Sequence, residues 1–412
     1  MSGKPLLPEE LKFEILLALP IKSLLRFKSV CKNWHSLIGS SAFVNRYSSI
    51  SHVKDSGKLI CFRRDPDDKK THLISLIDCQ TREKVVDLEW PPFLDEGIED
   101  HEAYERVISV LGPVNGIYCI FNRLIDRWAG TLVLWNPATR EYKHLVPPVH
   151  FPFPFEFVYG KWYDHWFYEL KAPRGLDIAF GLDSDSNDFK VVVICHWKAH
   201  YDYNDDTWHV RVYDLSADSW RTIYYLKTET SSPFEGWYTW FRLNSYPDHV
   251  HCYLNGIFHW TTGHEEIVAF DMNNESFRLM KGPPLPRFHY PCQSAWVLKE
   301  TLVMVFSTME DNCYPCGAFV WMMMEYGVED SWAMLCSFGP TPGLTFIGIP
   351  NDNEIFFCDS KGQLISSNFN NQEFKEYSFN GMCDQYSLKN IHGRQRILKY
   401  EETFVLLKTR DN

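Results

Sequence analysis

Leu7-Pro8-Glu9-Glu10-Leu11 opens a stretch of the chain that continues to Cys31-Lys32-Asn33-Trp34-His35-Ser36-Leu37-Ile38-Gly39. Pro8 suits the first position of a helix, and the two glutamates after it favour the positive end of the helix dipole. The helical spacing of Leu11, Ile15 and Leu19 predicts a helix that ends at Pro20. We expect this stretch to be the only strongly helical part of the chain.

A second apolar stripe predicts further helix after Pro20. Its members recur at helical spacing and precede Gly39, a residue type that commonly follows a helix: Phe27, Val30, Cys31, Trp34, Leu37 and Ile38. About forty residues are too few to bury an independent core. The apolar faces of these helices must therefore contact the rest of the chain or another protein.

The stretch resembles the F-box, the segment that docks on the Skp adaptor of cullin-type ubiquitin ligases. Five elements occur in the order and spacing of that family: Leu7-Pro8, Leu19-Pro20, Ser23-Leu24-Leu25-Arg26, Val30-Cys31-Lys32 and Trp34. The resemblance implies a helical adaptor-binding domain at residues 1–47. It implies that the adaptor contacts are Leu7, Pro8, Leu19, Pro20, Leu24, Val30, Cys31 and Trp34. The alternative is a solvent-exposed helical cap on a β-domain, for which Val30, Cys31 and Trp34 would be an unusual choice.

The composition is that of an ordinary soluble protein with many aromatic residues. Of the 412 residues, 23% are charged, 45% are hydrophobic and 16% are aromatic, and this aromatic content favours β-structure and contact surfaces. No apolar run reaches the roughly 18 residues of a membrane helix. Prolines and glutamates between Pro5 and Glu10 interrupt any signal-peptide core. We therefore expect a cytoplasmic or nuclear protein whose 12 cysteines are buried or free thiols.

Charge is unevenly distributed along the chain. Residues 1–47 contain seven Lys or Arg and three Glu, so they carry +4 of a total of −12 and the remainder carries −16. An acidic body repels phosphates, which disfavours nucleic acid as its partner. It favours a basic protein that the electric field steers toward it. The alternative is that this acidity only keeps the domain soluble.

From Gly57 onward the sequence repeats a unit of two short apolar strands with a polar turn. Four copies place an aromatic residue six positions after Asp or Asn: Asn136 to Tyr142, Asp214 to Trp220, Asp271 to Phe277 and Asn368 to Phe374. Tyr326 to Trp332 keeps the interval without the acid or amide, and Asp78 to Lys84 is a weaker copy. Each copy predicts a hairpin whose turn uses Asp or Asn.

About six such units predict a kelch-like β-propeller with about six irregular blades over residues 57–412. The predicted fold class is thus mainly β behind a small N-terminal α segment. A pair of β-sandwiches is the alternative fold. The C-terminal run Thr403-Phe404-Val405-Leu406-Leu407 is a candidate for the last strand, which would close the ring with the first.

Long insertions between the predicted blades are the candidate target-binding loops, because binding residues concentrate on loops. Acidic or aromatic residues are frequent in residues 95–105, 151–168, 201–208 and 237–241. The candidate substrate contacts are Asp95, Glu96, Glu99, Asp100, Trp162, Tyr163, Trp166, Tyr201, Asp205 and Asp206. Aromatic anchors beside acidic residues suit a surface that binds a basic protein. The alternative for each aromatic residue is a place in the core of an additional strand.

The sequence contains no recognisable catalytic or cofactor motif. Cys313-Tyr314-Pro315-Cys316 has the spacing of half a zinc site, but no second pair follows at a suitable distance. His264-Glu265-Glu266 lacks the second histidine of a zincin motif. A serine-hydrolase elbow, a P-loop and a dinucleotide fingerprint are also missing. We therefore expect no metal, no cofactor and no catalysis by this chain.

The body of the chain resembles the F-box-associated domain of plant proteins. The resemblance rests on Asn136-Pro137-Ala138-Thr139-Arg140, on Asp214 with Ser219-Trp220, and on Trp321-Met322-Met323-Met324-Glu325-Tyr326-Gly327-Val328 with Ser331-Trp332. The last element is similar to that of S-locus F-box proteins. It implies a non-catalytic receptor, linked through the adaptor to cullin and RING subunits, that recognises basic non-self S-ribonucleases in pollen during self-incompatibility.

Three alternatives stay open at this point. S-locus-like relatives with other protein targets share the same sequence elements. A propeller that binds a glycan or small ligand through its aromatic loops is a second possibility. A kelch-type oxidase is the third, and it would need a bound metal.

Overall fold

Prolines divide the N-terminal stretch into short helices. The computed structural model describes residues 8–51, 57–65, 72–91, 106–124, 130–145, 157–162, 165–170, 175–197, 207–227, 251–261, 266–284, 292–310, 314–339, 344–378, 397–405 and 407. Its helices are α1 (Glu9–Leu17), α2 (Ile21–Lys28), α3 (Lys32–Ile38) and α4 (Ser41–Ser51). Pro8 and Pro20 are the residues immediately before α1 and α2, one position earlier than the predicted first helical position. Their carbonyls accept the first helical hydrogen bonds, from Lys12 and Leu24, at 3.1 Å each.

The remaining described elements are almost all strands. As far as the end of the third blade the strands are β1 (Lys58–Arg64), β2 (His72–Asp78), β3 (Lys84–Leu88), β4 (Arg106–Val114), β5 (Ile117–Leu124), β6 (Gly130–Asn136), β7 (Glu141–Leu145), β8 (Phe157–Trp162), β9 (His165–Leu170), β10 (Gly175–Asp183), β11 (Asp188–Trp197), β12 (Thr207–Asp214) and β13 (Ser219–Lys227). Of these, β8 and β9 are not part of a blade. The last three blades contain β14 (Cys252–Leu254), β15 (Ile257–Thr261), β16 (Glu266–Asp271), β17 (Ser276–Lys281), β18 (Cys292–Leu298), β19 (Thr301–Glu310), β20 (Tyr314–Met323), β21 (Trp332–Phe338), β22 (Thr345–Gly348), β23 (Glu354–Cys358), β24 (Leu364–Asn368) and β25 (Phe374–Glu376). The final strand is β26 (Ile397–Lys399).

Among the described residues, these strands form six four-stranded sheets and the separate hairpin β8–β9. In every blade neighbouring strands are antiparallel, as in the second blade. The first strands of four neighbouring pairs of blades contact each other: β26 with β4, β4 with β10, β14 with β18, and β22 with β26. The predicted fold class, a small helical segment followed by a six-bladed β-propeller, is therefore confirmed.

An Asx turn explains the repeated six-residue interval. The side-chain Oδ1 of Asp78, at the end of β2, accepts hydrogen bonds from the backbone N–H groups two and three positions later, at 2.9 Å each. Asn136 and Asp271 do the same at the ends of β6 and β16. The residue four positions after each repeat's Asp or Asn has a positive φ: Arg82, Arg140, Asp218, Glu275 and Gln372. The chain then reverses, so that Phe277 in the outer strand pairs with Phe270.

Both ends of the β-domain contribute to the first blade. β26 pairs antiparallel with β1, with Leu59 opposite Lys399 and Cys61 opposite Ile397. The C-terminal segment thus closes the ring, but the prediction of a closing strand at residues 403–407 is wrong. In that range, Thr403–Val405 and Leu407 are outside any strand. Phe404 and Leu407 instead enter apolar cores of the helical segment and the propeller.

The two faces of the ring differ in the connections between strands that they contain. In the second blade, Val114 pairs with Ile117 and Asn136 with Glu141 at the end that contains both hairpin turns, while Arg106 lies at the opposite end. Hairpin turns of neighbouring blades hydrogen-bond each other, so they share one face, called here the turn face. The other connections leave from strand ends on the opposite face, called here the insertion face. These include the long segments 89–105, 146–174, 198–206 and 228–251.

Adjacent blades are joined by apolar cores and by polar contacts along their outer strands. The core between the fourth and fifth blades includes Ile267, Met280, Met304 and Trp332. On the outer strands, Lys143 Nζ of the second blade lies 2.8 Å from Asp218 Oδ2 of the third blade. The backbone N–H of Lys281 in the fourth blade donates to Glu329 Oε1 of the fifth blade at 3.0 Å. The outer strand of one blade thus contacts the outer turn of the next.

Candidate interaction surfaces

The helical segment has an internal core that is shared with the C-terminus. Its buried members come from all four helices and from one distant residue: Leu16, Leu17, Ile21, Leu24, Ile38, Phe43, Tyr47 and Phe404. The Tyr47 hydroxyl donates to the Leu19 carbonyl at 3.2 Å. Burial, and secondarily the nearby Glu402 carboxylate, raises the pKa of Tyr47 to about 12. This tyrosine therefore stays neutral and contributes to packing.

Three large apolar side chains of the helical segment are exposed. Leu11 and Ile15 lie one turn apart on α1 and are each 53% exposed, while Val30, between α2 and α3, is 65% exposed. Residues four apart project from the same side of a helix. Leu11 and Ile15 are therefore exposed side by side, and contiguous exposed apolar side chains mark contact surfaces. These three residues are called here the apolar face of the helical segment.

The predicted adaptor contacts fall into distinct groups. Leu7 lies outside the described residues, whereas Pro8, Pro20, Val30 and Cys31 are exposed. Leu19 is half-buried, and so is Trp34, whose ring packs edge-to-face on Phe27 with centroids 4.8 Å apart.

Leu24 differs from that pattern because none of its side chain is exposed. It supports the helices from inside, so its side chain cannot contact a partner in this conformation. Leu11 and Ile15 were not among the predicted contacts, although their spacing of four residues was available from the sequence. The assignment of the exposed residues to an adaptor contact stays a prediction.

A segment after β26, residues 400–405 and 407, lies between the helical segment and the turn face of the second blade. We call it the C-terminal strap. The Asn136 side-chain amide donates to the carbonyls of Thr403 at 3.2 Å and Val405 at 2.9 Å. Phe404 packs in the helical core, and Ala138 of the second blade's outer turn packs against the same core. The strap therefore holds the helical segment at the turn face.

The predicted substrate contacts lie almost entirely outside the described residues: Asp95, Glu96, Glu99, Asp100, Tyr163, Tyr201, Asp205 and Asp206. Trp162 ends β8, and Trp166 lies in β9 opposite Lys161, but their side chains are also outside the described part. The described strand ends on either side of these segments are on the insertion face, opposite the helical segment. Their role as target contacts stays a prediction.

The element Trp321–Trp332 joins two blades. The Trp332 indole N–H donates to the Lys281 carbonyl at 3.0 Å, and the Tyr326 hydroxyl lies 2.9 Å from His259 Nε2. Desolvation by burial lowers the pKa of His259 to about 3, so the imidazole is neutral at physiological pH. These aromatic residues of the sequence element thus have a packing role between the fourth and fifth blades. Met324 and Val328 in the same element are exposed.

The described residues allow the predictions about metal sites and cysteines to be examined. No group of three or more His, Cys, Asp or Glu side chains among the described residues could hold a metal ion. Cys313, His264 and Glu265 of the two weak metal-site patterns lie outside them. The prediction that the cysteines are all buried or free thiols is wrong for Cys358, which forms a disulfide. Within the same residues, every helix is too short or too polar to cross a membrane.

Comparison with protein families adds two matches to this geometry. A model of the F-box domain matches residues 5–46, and a model of the F-box associated beta propeller domain matches residues 92–405. The first match contains the apolar face, and the second contains five of the six blades together with β26 and most of the C-terminal strap.

Individual relatives are similar over most of the chain. An F-box/kelch-repeat protein of Arabidopsis thaliana is 25% identical over 386 residues, which cover 89% of each protein. The F-box protein CPR1 of Arabidopsis thaliana is 26% identical over 343 residues, or 79% of this chain and 71% of that protein. Among solved structures, an oligogalacturonate lyase in complex with manganese aligns over 77% of each chain with a TM-score of 0.35 and 13% identity. That last likeness is too low to carry an argument.

Proposed function

Because the chain belongs to the F-box proteins that carry an F-box-associated β-propeller domain, we propose that it is a substrate receptor of a Skp–cullin–F-box ubiquitin ligase. The F-box domain implies binding to a Skp-type adaptor, and through that adaptor to cullin and RING subunits. The observation that carries the proposal is the apolar face of Leu11, Ile15 and Val30, which the rest of the described chain leaves exposed. The proposed role places the protein in the cytoplasm or nucleus.

In this role the chain acts by proximity and makes or breaks no bond. The helical segment binds the adaptor and the propeller binds the target, so the target's lysines are held near the ubiquitin-charged enzyme. Tethering of this kind replaces a bimolecular encounter by a reaction at high effective concentration. The helical segment lies at the turn face of the second blade, and the proposed target-binding surface is the insertion face on the opposite side.

The proposed target is a basic protein. Its support is the formal charge of −16 on residues 48–412, which would speed the approach of a cationic partner. A narrower proposal is that the target is a non-self S-ribonuclease recognised in pollen during self-incompatibility. Only the acidic charge and the similarity of residues 321–332 to S-locus F-box proteins support this narrower proposal.

The adaptor proposal is tested by titrating purified Skp-family adaptor into the full-length chain and into the Val30→Asp variant. A carboxylate buried against an apolar partner surface should weaken binding by roughly 2 kcal/mol or more, about thirtyfold. Val85→Asp is the matched control, because Val85 is 50% exposed on β3 in the first blade. Equal affinity of the Val30→Asp variant and the wild type would refute the docking assignment.

The target proposal is tested by crosslinking mass spectrometry of the assembled ligase in a pollen extract. The expected result is a basic protein crosslinked to residues 95–105 or 151–208. Recovery of an S-ribonuclease, but not of an unrelated ribonuclease of similar charge added as a control, would support the narrower proposal. Crosslinks that reach only acidic proteins would contradict both.

A further inference from the structure

The C-terminal strap contacts the propeller along most of its length. Tyr400 N donates to the Lys58 carbonyl at 3.0 Å, and Gly116 N donates to Glu401 Oε2 at 3.2 Å. At Gly116, where φ is +75°, an added Cβ would lie 2.5 Å from Thr403 Cγ2, so strap and turn are in tight contact. Leu407 is fully buried in the core of the second, third and fourth blades.

Between these anchors, Phe404 turns toward the helices and is fully buried among them. Its ring lies edge-on to Phe43 at 6.4 Å and to Tyr47 at 6.3 Å, and the Lys28 ammonium is 5.6 Å from its centroid. These contacts reach α2 and α4, so one side chain from the end of the chain packs on two helices of its beginning. The helical core is therefore completed by a residue more than 350 positions away in the sequence.

We propose that the strap makes the helical segment competent to bind its adaptor, so that only a chain with a closed ring presents the apolar face. The identity of the partner rests on the proposed function. The physical reason is the size of the helical segment, since about forty residues cannot bury a sufficient core by themselves. A segment that is folded only part of the time binds with an affinity reduced by its folded fraction.

The order of synthesis gives this coupling a consequence. The helices emerge from the ribosome before the propeller, whereas β26 and the strap emerge after its other strands. An unfinished or misfolded propeller cannot seat Phe404. Such a chain would compete poorly for the adaptor and would not occupy ligase complexes without a functional receptor domain.

The test compares full-length wild type, Phe404→Ala and Phe404→Leu by amide hydrogen exchange and by adaptor titration. Phe374→Ala is the matched control, because Phe374 is a phenylalanine of β25 that is 47% exposed. We expect Phe404→Ala to lose protection in α1–α4 while the third to fifth blades keep theirs. This variant should also bind the adaptor about tenfold more weakly, as expected when the helical segment is unfolded in about nine-tenths of the molecules. Phe404→Leu should restore most of both properties, and Phe374→Ala should change neither.

Unchanged helix protection and unchanged affinity in Phe404→Ala would overturn the proposal. Loss of protection in all blades, both in Phe404→Ala and in a chain that ends at Tyr400, would also overturn the proposal. In that case the strap would stabilise the whole fold and would have no specific effect on the helices. If wild type binds no adaptor, the proposed function fails, but exchange measured without adaptor still decides whether the strap orders the helices.

Discussion

Lys190 connects the third and fourth blades through a buried network of opposite charges. Its ammonium lies 2.7 Å from Asp183 Oδ2, 2.9 Å from Glu275 Oε1 and 2.8 Å from the Met272 carbonyl. The Lys190 side chain is 7% exposed, and those of Asp183 and Glu275 are 10% and 20% exposed. Water can therefore replace little of what the lysine provides.

Substitution of Lys190 by methionine keeps the unbranched apolar part of the side chain as far as Cε and removes the charged ammonium group. Breaking a buried ion pair by removing one partner typically costs 3–5 kcal/mol. Here Glu275 keeps the Arg221 guanidinium, with Nη1 to Oε2 at 2.6 Å, and Asp183 keeps the N–H groups of Asp185 and Ser186. We therefore expect a loss near the low end, about 3 kcal/mol in the free energy of unfolding.

The measurement is urea unfolding at pH 7, followed by tryptophan fluorescence. Lys143→Met is the matched control, because Lys143 pairs at 2.8 Å with Asp218, whose side chain is 50% exposed. An ion pair with one solvent-exposed partner contributes about 1 kcal/mol or less. Equal losses in the two variants would refute the argument that burial makes the Lys190 network costly to break.

Acidic pH supplies a second arm of the same experiment. Desolvation raises the pKa of Asp183, but hydrogen bonds from Lys190 and Ser186 and the charge of Lys190 outweigh it, so the pKa is about 2, below the ordinary value of 3.8. Its contribution to stability is present above about pH 4 and is lost as the pH falls toward 2. The Lys190→Met variant lacks this attraction, so the difference in stability should shrink across that range. A difference that stays constant would show that it does not arise from charge.

Three further outcomes follow from the geometry. Leu11→Ala and Ile15→Ala should each weaken adaptor binding by about 1 kcal/mol in calorimetric titration, because about half of each side chain remains to be buried. Leu279 is 42% exposed on β17, and the control variant Leu279→Ala should not change adaptor binding. Asn136→Ala should lower the free energy of urea unfolding by about 2 kcal/mol, since it removes the donor to two strap carbonyls, and an unchanged midpoint would contradict this. His259, with a folded pKa of about 3, takes up a proton only on unfolding, so it should account for a loss of about 2 kcal/mol in the free energy of urea unfolding between pH 7 and pH 5. The His259→Gln variant should lose less than the wild type by that amount, and equal losses would contradict this.

Local patterns in the sequence determined the secondary structure and the number of blades. Pro8 and Pro20 mark the starts of α1 and α2 because a proline is suited to the beginning of a helix and not to its interior. Before four of the outer strands an Asp or Asn sets an Asx turn, whose geometry depends mainly on the next few residues: Asp78, Asn136, Asp271 and Asn368. The blade repeat was therefore recoverable from a six-residue interval.

Only the tertiary structure decided which apolar residues face outward and how the ring and the helices are joined. Ile38 and Ile15 both lie on the predicted apolar stripes, yet Ile38 is fully buried and Ile15 is 53% exposed. The spacing of a stripe does not show which partner covers it. The ring is closed by Ile397–Lys399 and not by Thr403–Leu407, and Phe404 and Leu407 are instead buried in two different apolar cores. Contacts between residues hundreds of positions apart depend on the shape of the completed fold, and local sequence carries no record of them.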